Sequence, residues 1–126
     1  MTDESLLRSR IHSFRYAARG ILAMLASEPN ARLHAIATVL VVFAGFGFGI
    51  ERGEWLAAVL AIGAVWTAEG FNTAFEALCD VVSPERRPQI ERAKDVAAGA
   101  VLLAALAALA VAFIVFGPRV LVLATT

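Results

Sequence analysis

The sequence predicts an all-α membrane protein with an N-terminal amphipathic surface helix and three transmembrane helices. Of its 126 residues 60% are hydrophobic and 17% are charged, and the mean hydropathy is +0.74. A chain this short cannot bury so much apolar surface within itself, so the bilayer is its expected solvent. This composition excludes a soluble enzyme and a disordered tail. The single cysteine, Cys79, excludes an internal disulfide.

Residues 1–33 are charged and lack a long apolar run, so they are not a signal peptide. At helical spacing one face carries Arg8, His12, Arg15 and Arg19. A different face carries Ile11, Phe14, Ala18, Leu22 and Leu25. This pattern predicts a helix that lies in the membrane interface. A charged stripe on a soluble helix is the alternative, but the apolar segments that follow favour the interface.

Three apolar segments follow, and they predict transmembrane helices at about 34–50, 55–79 and 96–116 within a single domain of residues 1–126. The third segment has 21 residues without a charge and stops at Gly117-Pro118. At 1.5 Å per residue it spans roughly 32 Å, enough for the hydrocarbon core.

Three glycines alternate near the end of the first segment, at Gly45, Gly47 and Gly49. They are separated by phenylalanines, and no Lys-Ser/Thr pair follows them. We therefore expect these glycines to serve packing or bending and not phosphate binding.

The basic residues are unevenly distributed among the connections. Five lie in the first 34 residues, one in the turn at 51–54, four in the loop at 80–95, and one in the C-terminal tail. The positive-inside rule places the N-terminus and the second loop in the cytoplasm. The short turn and the C-terminus are then outside.

The second apolar segment carries polar side chains that a membrane helix should not contain. They are Glu69, Asn72, Thr73, Glu76 and, at its end, Asp80. On a helix all five share one face about 100° wide. Each ionised carboxylate at membrane depth costs about 2.5–3.5 kcal/mol on insertion scales, which favours a functional site. A divalent metal such as Mg²⁺ would neutralise them. A polar seam between helices is the alternative.

Lys94 and Asp95 stand just ahead of the third segment, and Lys94 is the only lysine in the chain. A lysine can approach a phosphate as a compact charge. The small residues 97–100 would let helices approach closely and bring Lys94 near the polar face of the second segment. Interfacial anchoring of Lys94 and Asp95 is the alternative. His12 and His34 stand in no zinc-binding motif, so no zinc site is predicted.

Two stretches carry a family resemblance. The first reads Glu69-Gly-Phe-Asn72-Thr73-Ala-Phe-Glu76-Ala-Leu-Cys-Asp80, and the second, at residues 93–101, reads Ala-Lys-Asp-Val-Ala-Ala-Gly-Ala-Val. Residues 13–17 and 30–34 contribute as well. Together they resemble the small prokaryotic integral-membrane diacylglycerol kinase family, which includes the undecaprenol kinases. The resemblance covers about residues 12–116.

The resemblance implies a homotrimer whose active sites are shared between neighbouring protomers at the cytoplasmic interface. The implied reaction is transfer of the γ-phosphoryl group of MgATP to a lipid hydroxyl. The implied location is the cytoplasmic (inner) membrane, as a multi-pass protein. Membrane lipid and a lipid alcohol, undecaprenol or diacylglycerol, are the expected partners, and no nucleic-acid partner is expected.

The motif positions also imply roles for individual residues. Glu69 would be the general base, and Asn72 would help to arrange the site. Glu28 and Glu76 would hold the magnesium ions. The residues implied to contact ATP are Tyr16, Glu85, Arg86, Arg87, Lys94 and Asp95.

Two departures from the family pattern bear on nucleotide binding. Arg86 and Arg87 stand where members commonly have an aromatic residue and a histidine, and Ser9 stands where some relatives have an arginine. Three stretches, Asn72-Thr73-Ala74 and the runs at 82–85 and 94–101, look more like the undecaprenol kinase branch than the diacylglycerol branch. Two other functions stay open: an inactive membrane pseudokinase, and a small ion or proton transporter that uses its carboxylates.

Overall fold

A computed structural model describes residues 2–126, and in this range the chain is all α-helical, without a strand. The four helices are α1 (Asp3–Ser27), α2 (Pro29–Phe48), α3 (Arg52–Val82) and α4 (Pro88–Thr125). The helices α2, α3 and α4 are each long and apolar enough to cross a membrane. The prediction of an all-α membrane protein with three membrane-spanning helices is confirmed at this level.

The break between α1 and α2 lies at Glu28, earlier than the sequence analysis placed it. Glu28 has an extended backbone and Pro29 is the first residue of α2, because proline disfavours a helical conformation in the residue before it. Arg32 then reaches back to the end of α1, where its guanidinium donates to the carbonyls of Leu25 and Ala26. Residues 29–33 therefore belong to the first membrane-sized helix and not to the surface region.

Helix α1 packs against α2 and α3 near its C-terminal end. Met24 is its buried side chain, and residues 3–23 are exposed. The interfacial position of α1 stays a prediction.

Helix α4 does not end at Gly117-Pro118, as the apolar segment suggested, but continues through Pro118 to Thr125. Proline is tolerated inside membrane helices when other groups satisfy the backbone around it. Pro118 leaves the Ile114 carbonyl without its helical donor, and on the next residue Arg119 Nη1 donates to the neighbouring Val115 carbonyl at 2.5 Å. The same guanidinium binds Glu54 at the start of α3 in a bidentate pair of 2.8 and 2.9 Å. This pair ties the far part of α4 to α3.

The turn between α2 and α3 depends on two of the three alternating glycines. Gly49 ends α2 with a positive φ of 62°, which glycine adopts without steric cost. Gly45 is buried, and a Cβ on it would lie 2.5 Å from Trp55 Cη2 and 3.2 Å from Ile50 Cδ1. Trp55 packs against Phe46, with ring centroids 4.9 Å apart. The expected packing role is thus seen at Gly45.

The core within one protomer is small and centres on α3, which contacts α1, α2 and α4. The buried apolar residues of the described chain are Met24, Ala31, Ile50, Ala58, Val65, Cys79 and Val115. Many large apolar side chains of α2, α3 and α4 are exposed, as expected of a protein surrounded by lipid or by further copies of itself. Among these mostly apolar positions, α3 also buries one charged side chain, Glu69.

The contact of Gly45 with Trp55 makes a stability prediction. Gly45→Ala should be less stable than Gly47→Ala by about 1–3 kcal/mol, because the new methyl group overpacks against Trp55. Gly47 is the matched control, since a Cβ there meets nothing within 4 Å and lies on the same helix. Unfolding in detergent micelles measures the difference. Equal stability of the two variants would contradict the close packing of the turn.

Candidate active site

Glu69 is the centre of the candidate site. Its side chain is only 1% exposed, and it is the one buried charged residue in the part of the chain that the structure describes. It lies on α3 and faces α2, where its nearest charged or titratable neighbour is His34. A buried carboxylate is retained only when it is paired, protonated or used, since its desolvation is costly. Its burial therefore makes Glu69 the leading candidate for a functional carboxylate in residues 2–126.

His34, on α2, faces Glu69 across the helix pair. Its Nε2 lies 3.5 Å from Glu69 Oε2, and the two side chains are 16% and 1% exposed. Both atoms are buried and lack a hydrogen-bond partner within residues 2–126. Sequence reasoning tested His34 only as a zinc ligand and missed this contact. The available signal was its place at the end of the family-like segment 30–34.

Asn72 and Thr73 follow Glu69 by three and four residues, so all three lie on one face of α3. Asn72 Oδ1 and Thr73 Oγ1 are also buried without a partner in the described chain. We refer to His34, Glu69, Asn72 and Thr73 as the Glu69 cluster. Buried polar groups in proteins are almost always hydrogen-bonded. These four unsatisfied buried atoms, on facing turns of α2 and α3, make the Glu69 cluster the candidate binding site.

A second polar contact between the same two helices lies one turn from the Glu69 cluster. Trp66 Nε1 donates to Thr38 Oγ1 at 2.9 Å, and the Thr38 hydroxyl donates to the His34 carbonyl at 2.7 Å. Trp66 precedes Glu69 by three residues and Thr38 follows His34 by four. The two contacts therefore fix one antiparallel alignment of α2 and α3.

The C-terminal end of α3 meets the N-terminal end of α4. Lys94 Nζ binds Asp80 Oδ1 at 2.6 Å, with Lys94 one-third exposed. Glu76 is half-buried one turn before Asp80, and Asp95 is exposed. The expected approach of Lys94 to the polar face of α3 is thus seen at Asp80, the last residue of that face.

The other residues expected at the nucleotide are exposed. Tyr16 lies on α1, with the guanidinium of Arg19 5.6 Å from its ring centroid. Glu85 and Arg86 lie in the connection between α3 and α4, and Arg87 is the N-cap of α4. Arg86 forms a solvent-exposed pair with Glu91 at 3.8 Å. Within residues 2–126 no ion pair joins any of these groups to Glu69.

Glu28 stands at the junction of α1 and α2, with its Oε1 3.4 Å from the Ser27 hydroxyl. Residues 2–126 contain no group of three or more His, Cys, Asp or Glu side chains that could hold a metal by themselves. Mg²⁺ is usually held by one or two carboxylates together with substrate phosphates. Glu28 and Glu76, the two carboxylates expected to bind magnesium, are each half-buried.

An apolar cavity of about 400 Å³ lies between α2, α3 and α4. His34 and Trp66 line it at the end nearest Glu69, and Val115 and Phe116 line it further along α4. Its walls are otherwise formed by alanine, valine, leucine and isoleucine side chains with Thr38. A cavity of this character suits a hydrocarbon chain and not a polar ligand.

Comparison with known proteins assigns the chain to a family. A family model described as prokaryotic diacylglycerol kinase matches residues 15–116. The undecaprenol kinase of Bacillus subtilis strain 168 is 35% identical over 107 residues, which are 85% of this chain and 87% of that protein.

Two diacylglycerol kinases are also similar. That of Synechocystis is 37% identical over 100 residues, covering 79% of this chain and 57% of that longer protein. That of Pseudomonas aeruginosa is 29% identical over 98 residues, covering 78% of this chain and 80% of that protein. These matches confirm the resemblance seen in the motifs and the expected class, a lipid kinase. The chain therefore belongs to the prokaryotic diacylglycerol kinase family.

Proposed function

We propose that this protein transfers the γ-phosphoryl group of ATP to the hydroxyl of a membrane lipid, undecaprenol or diacylglycerol. The observation that carries the proposal is the buried carboxylate of Glu69 with its unsatisfied polar neighbours. Phosphoryl transfer needs positioning and electrostatic stabilisation more than covalent chemistry from the protein. Family membership supplies the reaction class, and the Glu69 cluster supplies a place for its acceptor.

In this mechanism Glu69 is the general base. The lipid O–H bond breaks and its proton passes to the Glu69 carboxylate. The lipid oxygen forms a bond to the γ-phosphorus while the bond from that phosphorus to the bridging oxygen of ATP breaks. The electron pair of the broken bond leaves on ADP. Asn72, one turn from Glu69, has a buried amide that can hold the hydroxyl or the carboxylate in place.

Glu28 and Glu76 are the proposed magnesium ligands. Both are half-buried carboxylates near the cytoplasmic ends of their helices. Bound Mg²⁺ would neutralise the phosphate charge and orient the γ-phosphoryl group. Within residues 2–126 no group of three such side chains lies together, which fits a metal that would complete its shell with phosphate oxygens and water.

The nucleotide would lie over the connection between α3 and α4 and the adjoining part of α1. Lys94 is positioned by Asp80 and offers an ammonium group to phosphate. The other proposed contacts are Tyr16, Glu85, Arg86, Arg87 and Asp95. Arg86 and Arg87, exposed in place of the family's usual aromatic residue and histidine, offer further positive charge to phosphate.

The membrane arrangement follows from where these charges lie. The N-terminus and the loop at 83–87 face the cytoplasm, and the 49–51 turn and the C-terminus face outside. Helix α1 lies in the cytoplasmic interface. The lipid chain stays in hydrocarbon, for which the apolar cavity beside His34 is suited, while its hydroxyl meets ATP at the interface. Undecaprenol is the favoured acceptor, because the motifs at 69–80 and 93–101 look more like those of the undecaprenol kinase branch.

Glu69→Gln tests the mechanism. We expect transfer of labelled phosphate from ATP to fall by about 10²–10⁴-fold, because the amide cannot accept the hydroxyl proton. Diacylglycerol and undecaprenol are offered in parallel in mixed micelles. Glu54→Gln, on the same helix but paired with Arg119 at its other end, is the control and should keep its turnover.

Label in one lipid alone identifies the acceptor. Wild-type turnover by Glu69→Gln would exclude Glu69 as the base. A wild-type protein that assembles and labels neither lipid would favour an inactive pseudokinase, and ion flux into liposomes without ATP hydrolysis would favour a transporter.

A second prediction concerns the metal. Glu28→Gln and Glu76→Gln should each weaken ATP binding at millimolar Mg²⁺ and leave the weak binding in EDTA unchanged, because each removes one carboxylate ligand. Isothermal titration in detergent measures both conditions. Glu4→Gln, exposed in the first turn of α1, is the control. Unchanged Mg²⁺-dependent binding in both variants would remove these residues as metal ligands.

We also propose that the protein is a homotrimer with active sites shared between protomers. The small core and the exposed apolar faces of one protomer support assembly. Co-reconstituting inactive Glu69→Gln with inactive Lys94→Met tests the sharing. If Glu69 and Lys94 of one site come from different protomers, mixed assemblies contain some complete sites and regain activity. If each protomer holds its own site, mixing restores nothing, and native mass spectrometry reports the number of copies.

A further inference from the structure

The buried carboxylate of Glu69 needs a partner, and the structure offers few. Within residues 2–126 no lysine or arginine nitrogen lies within 4 Å of it, and His34 Nε2 is the one basic nitrogen that does. The walls of the adjoining cavity are apolar apart from His34, Thr38 and Trp66. A carboxylate in such surroundings keeps a defined orientation only if a donor holds one of its oxygens.

We propose that His34 is a positioning residue for Glu69 in the phosphoryl transfer, an inference that rests on the proposed function. His34 Nε2–H donates to Glu69 Oε2 and holds the carboxylate in one rotamer. The other oxygen, Oε1, is thereby left to accept the proton of the lipid hydroxyl. The histidine touches neither phosphate nor the reacting oxygen, and it acts through Glu69.

The geometry supports this role in two respects. The distance of 3.5 Å is longer than the 2.7–3.2 Å of a formed hydrogen bond, and contacts of catalytic groups commonly shorten when substrate binds. Both atoms are buried and neither has a hydrogen-bond partner within residues 2–126, so each is available to the other. A small rotation of either side chain completes the bond.

The surroundings of His34 keep it in place. The hydrogen bond from Trp66 to Thr38 lies one turn along α2 and fixes this helix against α3. The Thr38 hydroxyl in turn donates to the His34 carbonyl. The imidazole thus projects from a backbone that is held to the same helix that carries Glu69. An error of 1 Å in the position of a catalytic group can lower a rate about 10²-fold. A fixed backbone at His34 therefore limits how far the Glu69 carboxylate can be displaced.

Two substitutions at His34 and one nearby separate positioning from packing. His34→Leu removes the donor, and His34→Gln keeps an N–H near the position of Nε2. We expect kcat to fall about 10–100-fold in His34→Leu, with KM for ATP and for the lipid within about twofold of wild type. His34→Gln should recover most of kcat. Thr38→Val, which removes the bond from Trp66 without touching Glu69, reports the effect of looser packing through its thermal unfolding.

A double variant makes the test specific. If His34 acts only through Glu69, then His34→Leu lowers the residual rate of Glu69→Gln no further. Wild-type kcat in His34→Leu, a further loss in the double variant, or a His34→Gln as slow and as unstable as His34→Leu would each overturn the positioning role. If wild type is active and Glu69→Gln is not, such a result leaves the proposed function intact. Absence of transfer by wild type overturns both.

Discussion

The burial of one carboxylate in a membrane helix is the constraint on which the rest of this structure depends. Glu69 is almost wholly removed from solvent, and an ionised group in that position is expensive unless something meets it. The helices around it are arranged so that its neighbours are polar on one side and apolar on the other. His34 approaches from α2, Asn72 and Thr73 from the next turn of α3, and a cavity lined by aliphatic side chains opens beyond. Such surroundings are suited to a molecule that is polar at one end and apolar at the other.

Hydrogen bonds and ion pairs at the connections between the helices hold this arrangement. Arg32 satisfies the last carbonyls of α1 and fixes the bend at Glu28. Glu51 and Glu54 form a capping box that starts α3, and Glu54 also binds Arg119. Lys94 and Asp80 join α3 to α4 at the opposite end. Helix α3 is therefore tied to α4 by an ion pair near each end, with the Glu69 cluster between the two pairs.

The sequence predicts the three membrane helices and the shared face of Glu69, Asn72, Thr73 and Glu76, because hydropathy and the 3.6-residue period need no tertiary information. It does not predict His34 as a neighbour of Glu69. A single sequence does not tell which residues of α2 turn toward α3, and a lone histidine matches no ligand motif. The ends of the helices are harder to predict for a related reason. Apolar composition marks the part of a helix that lipid covers, whereas Pro29 begins α2 with polar residues and α4 continues past Pro118 to Thr125.

The continuity of α4 through Pro118 has a consequence for how deep the protein sits in a bilayer. Lys94 and Arg119 are 25 residues apart on one helix, a separation of about 38 Å along its axis. A hydrocarbon core is about 30 Å thick. The separation therefore exceeds the core thickness, so both cations reach the headgroup layers when the helix is upright and also when it is moderately tilted. Each is also paired with a carboxylate of α3, so the two helices tilt together. A thinner membrane is then met by greater tilt of the α3–α4 pair, which keeps Lys94 and Arg119 in opposite headgroup layers.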